Sequence, residues 1–114
     1  MEVLFASAPV ADLQAGISWY ERLFGRPADI VPNANEVMWQ VAGTGWLYVI
    51  RDHQRAGSTV VTISVSDLDR FVVELSARGI EAGPTVAVGA AGKRAELTDP
   101  CGNVISLIEV ATGD

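Results

Sequence analysis

One histidine, His53, and one cysteine, Cys101, are all the imidazole and thiol chemistry that this 114-residue chain carries. A metal centre of several imidazoles is therefore impossible, and so is an intrachain disulfide. His53, Cys101, Asp52 and Glu36 are the candidate ligands for a metal, but three of them fall in or near turns and no spacing gathers them. Nucleophilic catalysis is served no better. Ser18, Ser66 and Ser76 have no histidine at a spacing that would activate them, because the one imidazole falls in a polar linker. The string Gly89-Ala90-Ala91-Gly92-Lys93 has the look of a phosphate loop, yet Ala87 replaces its first glycine and Arg94 the hydroxyl residue after the lysine. It reads as a hairpin turn. Cys101 sits in a turn with only distant Lys93 and Arg94 as basic neighbours, so no reactive thiol is expected. Asp99, followed by Pro100, is expected to organise its own turn through side-chain bonds to the backbone.

Composition narrows the partners further. Eight basic against fourteen acidic residues give a net charge of −6, the wrong balance for a nucleic-acid backbone. A 12.1 kDa chain that is 49% hydrophobic and 19% charged reads as one folded domain rather than a disordered segment. Met1–Phe5 lacks a basic region leading into an apolar stretch, and no run is long and apolar enough to cross a membrane. A soluble cytoplasmic protein is the expectation.

The elements that would position a site come as an internal repeat. Val10-Ala11-Asp12-Leu13 recurs as Val65-Ser66-Asp67-Leu68, an offset of 67 − 12 = 55. A strand precedes each copy, Val3–Ser7 and then Thr59–Val65, and each Asp is placed to cap a helix. Leu13, Ile17, Tyr20 and Phe24 form one apolar stripe before Gly25, and Leu68, Val72 and Leu75 form another before Gly79. Short strands follow in each half, near Ala28–Val31, Val37–Val41 and Trp46–Ile50, then near Val86–Val88, Arg94–Thr98 and Val104–Val110. The reading is α+β: two βαβββ modules, about 1–52 and 58–114, joined by a linker at about 53–57 within a single domain, 1–114. Together they would make a curved mixed sheet with helices outside and a concave inner surface, the natural place for a ligand.

Val10 through Gly25 (VADLQAGISWYERLFG) and Leu97 through Ile105 (LTDPCGNVI) resemble the opening V-x-D-L-x-x-A-x-x-F-Y-x-x-L-x-G and closing D-P-x-G-N-x-I of the vicinal oxygen chelate superfamily. This is also called the glyoxalase/bleomycin-resistance/dioxygenase family, and the resemblance spans nearly the whole chain. It implies paired βαβββ modules and, in many members, a divalent metal held on the first and last strands of each module. The implied ligands are a His about seven residues before each D-L aspartate and a Glu three after the closing Asn. Those positions hold Phe5, Val60 and Ser106, and the parallel of Gly45–Tyr48 with Asn103–Ser106 puts the fourth at about Tyr48. None offers the imidazole nitrogen or carboxylate oxygen that such an ion needs. No metal site, cofactor or catalytic residue is expected, and with the Lewis acid gone the isomerase and dioxygenase chemistry of the family goes too.

Strand alternation identifies the inner surface from these positions. Val3, Phe5 and Ser7, Trp46, Tyr48 and Ile50, Val60, Thr62 and Ser64, and Val104, Ser106 and Ile108 would face it, whereas Leu4, Ala6, Leu47, Val49, Val61, Ile63, Val65, Ile105 and Leu107 would face the helices. Phe5, Trp46 and Tyr48 would stack on a flat ligand, or fill the space of the missing metal, while Ser7, Thr62, Ser64 and Ser106 offer orienting hydrogen bonds. Val60 joins them, with either Met38 or Trp39 from the third strand. The expected function is sequestration of a planar or cationic drug or metabolite by a metal-free homodimer, as in the antibiotic-binding members that the chain resembles. The alternative is a glyoxalase- or dioxygenase-like enzyme with an unorthodox metal site.

Overall fold

The computed structural model describes residues 1–89 and 92–110. Each half runs strand, helix, then three strands: β1 (Leu4–Val10), α1 (Leu13–Phe24), β2 (Ile30–Asn33), β3 (Glu36–Ala42) and β4 (Gly45–Arg51), then β5 (Val60–Ser64), α2 (Leu68–Ala77), β6 (Val86–Val88), β7 (Gly92–Thr98) and β8 (Val104–Val110). The helices start where the aspartates put them. Asp12 accepts the Ala15 N–H and Asp67 the Arg70 N–H, both at 3.1 Å, each satisfying a first-turn donor that the helix cannot. Gly25, at φ 72°, closes α1 in the left-handed conformation that glycine adopts without strain. Of the Gly89–Lys93 string, Ala90 and Ala91 lie outside the described residues, while the flanking β6 and β7 pair antiparallel as a hairpin.

In each module the first strand pairs parallel with the last, and hairpins add the other two, giving orders β1-β4-β3-β2 and β5-β8-β7-β6. The curved mixed sheet read from the sequence is thus two four-stranded mixed sheets, with no ladder between them among the described residues. Leu47, Val49, Ala95, Leu97, Ile105 and Leu107 point to the helices and are buried, as the alternation requires. Leu4 shares that parity yet is 71% exposed, because it starts the edge strand β1 while α1 lies over β3 and β4.

The helix-covered sides of both modules turn towards one shared core. Leu23 and Phe24 of α1 line a crevice with Phe71 of α2, Ile63 of β5 and Leu107 of β8. α1 consequently buries more than a single stripe, and Gly16, Trp19 and Leu23 are covered along with Leu13 and Tyr20. Polar joints fix the halves together. Asp99, 3% exposed, accepts the N–H groups of Cys101 and Asn103, the Asn103 amide at 2.8 Å and, across the modules, the Tyr20 hydroxyl at 2.8 Å. Burial, reinforced by that carboxylate, pushes the Tyr20 phenol far above its ordinary pKa and keeps it a donor. Asn103 also donates to the Pro9 carbonyl and accepts from the Thr59 N–H. Arg78 donates to the Arg22 and Leu23 carbonyls, placing a cation on the negative end of α1.

Candidate functional site

The outer face of each sheet is the one turned away from the shared core. On the first sheet Phe5 pairs with Trp46 and Ser7 with Tyr48; on the second Val60 pairs with Val104 and Thr62 with Ser106. The two modules therefore superpose position for position, and Tyr48 is the counterpart of Ser106. Phe5 is 52% and Val60 68% exposed, so these faces are open to solvent. Ser106 lies deepest, 3% exposed, between Thr62 and Glu96 in the ladder.

Phe5, Ser7, Trp46 and Tyr48 are brought together on one sheet, and Val60, Thr62, Ser64 and Ser106 on the other. The modules meet at a groove of about 250 Å³ lined by Trp46, Thr62 and Ser64 with Leu4, Ala6, Val41, Leu47, Val61 and Ile63, apolar apart from two hydroxyls. The choice between Met38 and Trp39 is decided by a bulge. The Gly43-Thr44 turn pairs Ala42 with Gly45, a register that would set Trp39 opposite Tyr48. An irregularity between Gln40 and Ala42 shifts the ladder by one residue, so Met38 opposes Tyr48 and Trp39 opposes Leu47. Trp39 is thus no part of the outer face. It is 0% exposed, donates its indole N–H to the Arg26 carbonyl at 3.0 Å, and packs with its ring centroid 5.4 Å from Phe24 and 6.2 Å from Tyr20.

The same registers add residues that the sequence reading did not place on this face, Glu36 having been weighed there only as a metal ligand. Glu36 and Gln40 share the outer face with Ile50 and Trp46, and Arg94, Glu96 and Thr98 share it with Ile108, Ser106 and Val104. For β7 the signal was available: the Asp99–Asn103 turn leaves Thr98 opposite Val104, and counting back by two gives Glu96 and Arg94.

The donor set does not fit the metal that the family implies. Phe5 and Val60 have no donor atom, and Tyr48 and Ser106 offer only neutral hydroxyls. Among the described residues no three His, Cys, Asp or Glu side chains converge. His53 is exposed, Asp52 holds Arg55 at 3.1 Å, Glu36 accepts the Asn33 amide, and Cys101 Sγ accepts the Ala11 N–H. No helix among the described residues is long and apolar enough to cross a membrane.

Comparison of the sequence with curated proteins gives no match. Among solved structures, a glyoxalase/bleomycin resistance protein from Catenulispora acidiphila DSM 44928 is 31% identical, with TM-score 0.90 over 96% of this chain and 99% of its own. A bleomycin-binding protein complexed with bleomycin shares the fold at 21% identity and TM-score 0.75, over 96% and 98% of the two chains. A lactoylglutathione lyase from Agrobacterium tumefaciens does so at 15% and 0.78, over 94% and 92%. The family model matches residues 3–107, and the chain belongs to the Glyoxalase/Bleomycin resistance protein/Dioxygenase superfamily.

Proposed function

We propose that this chain is a metal-independent small-molecule binding protein that sequesters a planar or cationic drug or metabolite. Its working form is a cytoplasmic homodimer in which all of 1–114 acts as one domain, and the cup forms where the outer face of a first module meets that of a second module from the partner chain. One observation carries the reading: where the family's metal ligands belong, the two superposed registers hold Phe5, Tyr48, Val60 and Ser106, and Trp46 stands beside Phe5. Rings set on an open sheet give a flat ligand a stacking surface, and the hydroxyls of Ser7, Thr62, Ser64 and Ser106 give it orientation. Exposed Val3, Phe5, Val60 and Val86 on these faces favour a second chain as their cover. The bleomycin complex of a protein with the same fold supports the drug-binding reading.

Trp46 is the reporter, because Trp19 and Trp39 are buried and it is not. Bleomycin-like, mitomycin-like and flat peptide antibiotics are titrated against tryptophan fluorescence. Saturable quenching that disappears in Trp46→Phe is expected, and no quenching by any of them overturns the proposal. A second reading, a glyoxalase- or dioxygenase-like enzyme with an unorthodox metal site, draws support from Glu96, a carboxylate directly opposite Ser106. About one tightly held divalent ion per chain, in protein purified without chelator, would put it first.

A further inference from the structure

We infer that Glu96 is the charge partner of the ligand, so that the molecule held in the cup carries a protonated or quaternary nitrogen beside its flat ring. The inference rests on the binding reading above and narrows its ligand class. Most carboxylates around this chain are already engaged. Asp29 pairs with Arg26, Asp52 with Arg55, Asp69 with Lys93 and Glu74 with Arg70, while Asp12, Asp67 and Glu109 accept first-turn helix N–H groups. Glu96 has neither an ion pair nor a side-chain hydrogen bond among the described residues. It stands at mid-face on β7, opposite Ser106, which is opposite Thr62 in turn. One carboxylate and two hydroxyls thus lie side by side across three strands, an acceptor row suited to N–H donors or a quaternary centre. Arg94 lies two residues away on the same face, about 7 Å along the strand, and forms no ion pair with Glu96. The corresponding position of the first module is Met38, opposite Tyr48, and the carboxylate that this face does carry, Glu36, is taken by the Asn33 amide, so the rings and the unpartnered carboxylate belong to different modules. A ligand bridging the two faces meets a π surface on one side and an anion on the other, both favourable to a planar cation.

The test uses the full chain and two probes of one shape, N-methylacridinium and, at about pH 8, neutral acridine. The cation is expected to bind about tenfold more tightly than acridine, the size of one charge–charge attraction at a partly water-shielded site. Glu96→Gln should abolish that preference. Raising the salt should weaken only the cation, and Arg94→Gln should not weaken it. Equal binding of the two probes, or a Glu96→Gln variant that keeps the preference, overturns this inference alone. Binding of neither probe overturns the sequestration reading with it.

Discussion

At matching register positions the outer face of the first module carries Phe5, Trp46, Tyr48 and Met38 where that of the second carries Val60, Val104, Ser106 and Glu96. On the inner sides the matching residues are Leu47 and Ile105, Val49 and Leu107, Val37 and Ala95, Trp39 and Leu97, all apolar and all buried. The backbone plan is one and the same, so the fold cannot be what separates the outer faces. Packing under a helix holds the inner positions to apolar side chains of suitable volume, whereas the outer positions meet no such demand. Among these matched pairs the inner side chains differ only in size and shape, and the change from apolar or aromatic to hydroxyl and carboxylate falls on the open faces.

The strongest way to break this contrast is to empty one position on each side of the first sheet. Trp39→Ala should cost about 4 kcal/mol, since it leaves a cavity under α1, and Trp46→Ala on the outer face less than about 1 kcal/mol. Denaturant unfolding measures both, and similar losses would erase the distinction between inner and outer sides. Next comes the joint. Asp99→Ala leaves the buried Tyr20 hydroxyl and the Asn103 amide short of an acceptor, with an expected loss of about 3 kcal/mol by thermal unfolding, against about 1 kcal/mol for Tyr20→Phe.

The helix caps sharpen the comparison at smaller scale. Asp12→Ala should cost about 1 kcal/mol. Asp67→Ala should cost less, because Glu109 still accepts the Leu68 N–H at 2.8 Å and keeps one donor of α2 satisfied. The smallest effect belongs to Asp29, whose carboxyl is held below its ordinary pKa by the hydrogen bond from Arg26 and then by the Gln40 N–H. A depressed folded value means that this contribution is complete above the unfolded carboxylate pKa of about 4 and is lost as pH falls through the folded one. Asp29→Asn should therefore lower stability slightly at neutral pH, leave it unchanged at low pH, and so flatten the acid limb of the stability profile.

The repeat, both Asp caps and the alternation that separates Phe5 from Leu47 were legible in the sequence because each is local or periodic. Asp99 could be assigned to its own turn for the same reason, since Cys101 and Asn103 are near neighbours. Its bond to Tyr20 spans 79 residues and leaves no local trace. Trp39 was undecidable because Val37, Trp39 and Val41 are apolar on either parity, and one bulge residue reverses which parity faces out. That the candidate residues divide between two separate outer faces depends on how the modules dock. Docking is set by such distant contacts as Arg78 on the Arg22 and Leu23 carbonyls.

The same joints determine when the chain can finish folding. Synthesis delivers the first module with the Pro9 carbonyl, the Tyr20 hydroxyl and the last carbonyls of α1 still lacking their partners. Those partners are Asn103, Asp99 and Arg78, up to 94 residues downstream. A polar group destined for burial must stay hydrated until its partner arrives. The first module therefore cannot bury these groups satisfied until the Asp99–Asn103 turn and Arg78 are in place, and the compaction of the two halves is coupled.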